Sequence, residues 1–315
     1  MEFQTVTGPV SVEDVQLADA HAHLWIKPPE GVATESRFEL TDVARIQAEM
    51  EDFKSAGGTT LIDCQPGGCG RDANKLTVFS QATGLHVTAT TGFHLQKYYA
   101  PDHWLWSASM AKAAAYFIEE LTIGMRETGP KAQATIIKVG YEGKIAGQTQ
   151  VLMEAAAVAA HQTGAAILFH TERGQNTEAL LPFFALRGVG ASRLYMCHVD
   201  KRPDIGLHRE LAREGVLLGY DTFARPKYDP EHTTWPLLRE LVADGLEGSI
   251  ALGLDLADSA MFKCYGGEPG LRMIPDVIVP RLYAEGLSED VVSRLTGHNV
   301  AGRLARQNQL EKDGR

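Results

Sequence analysis

Eight short apolar runs recur along the chain at nearly even intervals, and this period limits the folds open to it. The runs are Val15–His23, Thr59–Cys64, His86–Gly92, Ala134–Val139, Ala165–His170, Arg193–His198, Val216–Tyr220 and Ser249–Asp255. Their ends fall about 33 residues apart on average, the length of one strand-plus-helix step. Eight such steps in series predict an α/β chain closed into a (β/α)8 TIM barrel rather than an open sheet. Amphipathic stretches lie between the runs. Thr41–Ala56 opens on a Thr-Asp cap signal and stops at Gly57-Gly58. Trp104–Glu127, Gln148–Gln162, Pro230–Asp244, Pro275–Gly286 and the tail His298–Gln309 read as further helices. The 315 residues, 44% of them hydrophobic, suffice for one barrel domain spanning 1–315, with no linker or composition break.

Charge and cysteine usage narrow the partners. The formal net charge is −10 and no basic stripe is present, which argues against nucleic acid. An anionic ligand would need local cations or metals to hold it. No run approaches the roughly 18 apolar residues of a membrane span. Met1–Val15 carries Glu2, Glu13 and Asp14 and lacks a signal-peptide core. Cys64, Cys69, Cys197 and Cys264 form no C-x-x-C pair and read as reduced thiols of a cytoplasmic protein.

The informative polar residues close the apolar runs. His21 and His23 stand two apart at the first strand end, where both side chains face one way and can chelate one metal. Lys138, His170, His198 and Asp255 close four later runs. In a barrel all these ends meet at the C-terminal face, where active sites lie. A single histidine closing an apolar run is ordinarily a satisfied core or rim residue; six polar residues in such positions point to a metal site. Lys138 is the odd member, because an ammonium would repel the cations. Carbamylation by CO₂ to N6-carboxylysine would turn it into an anion able to bridge two metals. The plainer reading is a lysine paired with Asp255 or Glu172.

With these residues the chain resembles the phosphotriesterase family of the amidohydrolase superfamily. The resemblance runs from the H-x-H segment to the closing His298-Asn-Val-Ala-Gly-Arg-Leu304, with Val300 where proline is common. It implies that His21, His23 and Asp255 hold a buried divalent metal and that His170 and His198 hold a more exposed one. Carbamylated Lys138 and a hydroxide would bridge the two. Zinc is the first expectation, with manganese or cobalt as alternatives. Homodimers are common in that family, although no interface signature stands in the sequence.

Three segments resemble its sugar-lactonase branch, which includes enzymes acting on phosphorylated aldonolactones. They are Asp63–Asp72, Thr91–Tyr99 and Tyr265–Gly270. His94 stands where several lactone-hydrolysing relatives carry tyrosine, and Asp258 lies where an arginine is expected nearby. The expected reaction is lactone opening, with Asp255 as the catalytic proton acceptor. His94, Tyr98, Arg225, Lys227, Tyr228 and Lys263 are the candidate substrate contacts. Trp104 and Trp106 read as helix packing. Triester, ester or amide hydrolysis on the same site is the alternative, and a non-catalytic metal-binding receptor a remote one.

Overall fold

A computed structural model describes residues 1–306; the last three residues of the expected tail helix, 307–309, lie outside them. The chain opens on an antiparallel hairpin that the apolar period does not reveal, β1 (Glu2–Thr5) and β2 (Gly8–Ser11). Eight parallel strands follow: β3 (Ala18–Ala22), β4 (Thr60–Pro66), β5 (His86–Phe93), β6 (Ile136–Tyr141), β7 (Ile167–Thr171), β8 (Leu194–Cys197), β9 (Leu217–Tyr220) and β10 (Ile250–Leu252). They pair in sequence order, which is the TIM-barrel arrangement expected from the eight runs.

The seam between the last strand and the first is closed by a buried carboxylate. Asp19 Oδ1 accepts from the amides of His21 and Leu254, at 3.0 and 3.1 Å. The Asp255 amide donates to the His21 carbonyl at 3.0 Å. Gly253 permits this approach, because a Cβ there would lie 2.8 Å from the His21 nitrogen.

The helices are α1 (Val43–Ser55), α2 (Ala73–Thr83), α3 (Met110–Thr122), α4 (Gly147–Thr163), α5 (Leu180–Ala185), α6 (Ile205–Arg213), α7 (Thr234–Ala243), α8 (Val279–Ala284), α9 (Glu289–Ser293) and α10 (Asn299–Leu304). Asp42 caps α1 by accepting from the Arg45 amide, and α4 stops at Gly164 in the left-handed region, as their sequence signals predict. The long stretch expected from Trp104 divides into one tight turn, Trp104–Ser107, and α3. Among the described residues no helix is long and apolar enough to cross a membrane.

Strand alternation separates two cores. Ile167 and Phe169 of β7 pack outward against the helices, while Leu168 fills the lumen. Ile136 and Leu168 both belong to the lumen layer. Lys138 follows Ile136 by two and His170 follows Leu168 by two, so the same pleat carries both into the lumen's upper end. Ala20, Cys64, Ala166 and Ala251 are further, small members of this lumen layer. Phe3, Val12, Val300 and Leu304 close the floor, which gives the hairpin its role. Gly92, at φ +94°, lets β5 run against β6; a Cβ would meet the Lys138 carbonyl oxygen at 2.1 Å.

A polar anchor behind β9 also fixes the barrel's upper rim. The Tyr220 hydroxyl donates to His208 Nδ1 at 2.6 Å, and His208 Nε2 donates to the Arg202 carbonyl at 2.9 Å. This pattern suits a neutral imidazole, and burial pushes His208 down to about 4. Its folded value lies below the unfolded one, so its stabilisation is complete above about pH 6.5 and is lost as pH falls towards 4. Urea unfolding should show the advantage of wild type over His208→Gln shrinking by roughly 1–2 kcal/mol between pH 7 and pH 5.

Candidate metal centre and active site

Four of the six residues, His23, Lys138, His170 and Asp255, line one cavity, and the buried rings of His21 and His198 pack beside them. His21 and His23 straddle the end of β3, and one ligand atom each from His21, His23 and Asp255 lie within 4.8 Å of one another. His21 Nε2 and His23 Nε2 stand 3.7 and 3.5 Å from Asp255 Oδ1. The His198 ring lies 4.7 Å from that of His21 and 4.9 Å from that of His170. Lys138 is fully buried and lies within β6 rather than at its end. Its amine donates to the Cys64 carbonyl at 2.7 Å, and no carboxylate lies within ion-pair distance of it among the described residues. The expected pairing with Asp255 or Glu172 is therefore not what holds it.

Two of these residues occupy unusual backbone. His198 has φ 63° and Asp255 φ 50°, in the left-handed region that non-glycine residues avoid. His198 directly follows the last residue of β8, and Asp255 stands three residues past the end of β10, where it lines the cavity. Such positions cost roughly 1–3 kcal/mol each and concentrate at functional sites.

The donor atoms are in the state a cation needs. Burial lowers His21, and lowers His170 to about 4 and His198 to about 3, so all three rings are neutral near pH 7 with a lone pair to give. Both nitrogens of His21 and Nε2 of His170 are buried without an aligned hydrogen bond. Buried polar atoms are rarely left so, and divalent cations at His21 Nε2 and His170 Nε2 would satisfy these two, while His21 Nδ1 faces Asp221. Burial would raise the Asp255 carboxyl, but facing His198 and the permanent charge of Arg225 hold it well below its ordinary range. Arg225 Nη2 lies 2.8 Å from Asp255 Oδ2 and also donates to the Asp255 carbonyl.

Three supporting residues escape the sequence pattern. Asp221, directly after β9, reaches His198 Nδ1 with Oδ1 at 2.7 Å and lies 3.3 Å from His21 Nδ1 with Oδ2. It is buried, and although burial alone would raise it, the two imidazoles hold it low. One carboxylate thus orients a ring from each half of the cluster. Gln65 Oε1 accepts from His23 Nδ1 at 3.0 Å. Lys97 lines the cavity wall. Asp221 and Gln65 could have been found by the rule that found the histidines, since each stands at a strand end.

The cavity holds about 340 Å³ and is lined by His23, His94, Lys138, His170, Arg225 and Asp255. Tyr98 and Lys97 stand on the same polar wall, and Val32, Ala33 and Phe38 stand on an apolar one. His94 lies between His170 and Tyr98, its ring 4.6 Å from each and tilted by 52° and 59° to them. Of the other expected substrate contacts, Arg225 is engaged by Asp255. Lys227, Tyr228 and Lys263 do not line the cavity; Lys227 and Lys263 are exposed, and the Lys227 amine sits 4.9 Å over the Tyr228 ring.

The profile of the Phosphotriesterase family matches residues 1–301. The chain belongs to the phosphotriesterase family. It is therefore a hydrolase, of a family that depends on metal ions. Among its relatives is the phospho-furanose lactonase of Mycoplasmopsis synoviae, 30% identical, with 96% of this chain and 91% of the relative aligned. The phosphotriesterase homology protein of Escherichia coli is 27% identical over 89% of this chain and 94% of that protein. The N-acetyltaurine hydrolase of Bos taurus is 26% identical over 81% and 75%. An amidohydrolase of Mycoplasma synoviae superposes with a TM-score of 0.91 at 28% identity, covering 98% of this chain and 92% of the other. The lactonase Lmo2620 of Listeria monocytogenes shares the fold, with a TM-score of 0.90 at 24% identity over 98% of this chain and 100% of that one.

Orientation by Asp221 is testable within this family member. Asp221→Asn can accept from one imidazole but not serve both. Divalent-metal retention, read by elemental analysis after dialysis against graded free metal, should weaken about 10- to 100-fold. Unchanged retention would remove Asp221 from the centre's support.

Proposed function

We propose that this hydrolase opens a sugar lactone, with a phosphorylated aldonolactone as the preferred form. The observation that carries the reading is the cluster of His21, His23, Lys138, His170, His198 and Asp255 at the base of one cavity, four of them in its wall. The lactonase names of its relatives support the substrate class. His21, His23 and Asp255 would hold the deeper of two divalent ions, His170 and His198 the outer one. Lys138, as its carbamate, would join them. Zinc suits the imidazole-rich set, and manganese or cobalt fit the same donors. Two such ions would acidify a water and polarise the lactone carbonyl.

The chain's own residues divide the remaining work. Asp255, kept ionised by Arg225, accepts the proton of the attacking water and returns it to the ring oxygen as that oxygen leaves. Arg225 grips both the carboxylate and the backbone carbonyl of Asp255, which fixes the direction in which the carboxylate points. His94 and Tyr98 form an aromatic flank against which a furanose or pyranose ring can pack. The apolar residues Val32, Ala33 and Phe38 cover the opposite side and exclude water. No covalent protein intermediate is required, which agrees with thiols at Cys64 and Cys197 pushed far up by burial. Four unpaired cysteines fit a reducing compartment, and we place the enzyme in the cytoplasm.

A panel of aldonolactones, their phosphates, a paraoxon-type triester and N-acetyltaurine tests the reading. Lactone turnover should lead; triester turnover without lactone turnover would overturn it. Asp255→Asn should lower kcat by at least about 10²-fold while far-UV circular dichroism stays unchanged. For Lys138, elemental analysis should find about one ion fewer per chain in Lys138→Ala than in wild type. In Lys138→Glu, whose carboxylate replaces the carbamate, both ions should remain.

A further inference from the structure

The cavity wall carries three cations, and two are already committed. Lys138 is buried at the base with its amine on the Cys64 carbonyl. Arg225 is bound to the carboxylate and carbonyl of Asp255. Lys97, the third, has no carboxylate within ion-pair distance among the described residues. Its nearest acidic influence is Glu172, which lies 3.6 Å from His170 Nε2 and is drawn down to about 2 by His170 first, with Lys201 and Lys97 adding to it.

The backbone beneath Lys97 is fixed. Gln96–Tyr98 forms one tight turn after β5, in which the Tyr98 and Tyr99 amides donate to the Leu95 and Gln96 carbonyls at 3.0 Å. The buried Tyr99 hydroxyl accepts from the His94 amide at 2.9 Å and ties the turn to the strand end. From this base the Lys97 amine sits 5.2 Å over the Tyr98 ring. Tyr98 packs at a tilt against His94, and His94 against His170. A chain of ring contacts therefore leads from the candidate ligand His170 to one ammonium without an ion-pair partner among the described residues.

The opposite wall offers nothing comparable. Val32, Ala33 and Phe38 are apolar, and Arg37 turns away to Glu35 and Asp258, at 2.8 and 3.2 Å. With a net charge of −10 the molecule as a whole repels anions, so a local cation decides whether one enters. Resting on the lactonase reading, we propose that Lys97 is the specificity residue that selects a substrate carrying an anionic group, phosphate or carboxylate, remote from the carbonyl under attack. Binding strengthens through a charge-assisted contact at the far end of this row of rings and leaves the reacting carbonyl untouched.

The test compares metal-loaded wild type, Lys97→Met, Lys97→Arg and Lys97→Glu. Substrates are one aldonolactone, its phosphate, and an aldarolactone carrying a carboxylate. In Lys97→Met the kcat/KM ratio of charged to uncharged lactone should fall about 10- to 100-fold, the loss appearing in KM rather than kcat. Lys97→Arg should restore most of that ratio, and Lys97→Glu should lower it further. The charged form that loses more identifies phosphate or carboxylate as the anion. An unchanged ratio in Lys97→Met overturns the proposal. Calorimetric binding of ribose 5-phosphate against ribose to the same proteins needs no turnover. If wild type opens none of the lactones, the lactonase reading fails, and this binding ratio still decides for or against Lys97.

Discussion

Closure of the barrel at Asp19 is the interaction on which the site depends. A parallel sheet of eight strands has two edges until the last strand meets the first. Here the meeting is made by one buried carboxylate holding the His21 and Leu254 amides, and by the Asp255 amide on the His21 carbonyl. The same few atoms that abolish the sheet's edges bring His21 beside Asp255. Residues more than two hundred positions apart become neighbours through the seam itself, so the centre is as rigid as the barrel.

Burial then sets the chemistry of what the seam assembles. Taking imidazoles out of water removes their protons and leaves lone pairs, which is the form a cation binds. Taking carboxylates out of water would neutralise them too, and that would weaken the site. Asp255 escapes because Arg225 stands against it, and Asp221 because two imidazoles do. Neutral donors and ionised acceptors thus coexist a few ångströms apart. Each state comes from its immediate neighbours rather than from the bulk pH.

Much of the fold was legible because a barrel repeats its signal. Apolar runs ending in polar residues mark strands and the face where they end, and Asp42 and Gly164 mark helix limits through local hydrogen bonding. The hairpin Glu2–Ser11 left no trace in that period, since its strands are short and it serves as a floor. For the site, position along the apolar runs singles out six polar residues that the fold brings together, although Lys138 stands inside its strand and Asp255 three residues past its own. Arg225 could not: its sequence context suggests an anion-binding loop, and only the fold reveals that Asp255 lies against it. Lys227, Tyr228 and Lys263 lie in loops whose paths no periodicity specifies, and they stand off the cavity wall. Lys97 was hidden for the converse reason, as an ordinary surface lysine becomes distinctive only when the other cations around it are seen to be paired.

The left-handed backbone at His198 and Asp255 sets folding against turnover. Glycine or asparagine would sit in those conformations with less strain, so random change at either position is pulled towards a sturdier protein without a working centre. Histidine and aspartate there bring side chains that the proposed centre needs and the backbone alone would not favour. Loss of selection on catalysis should show first at these two positions, as a gain in robustness that coincides with the end of activity.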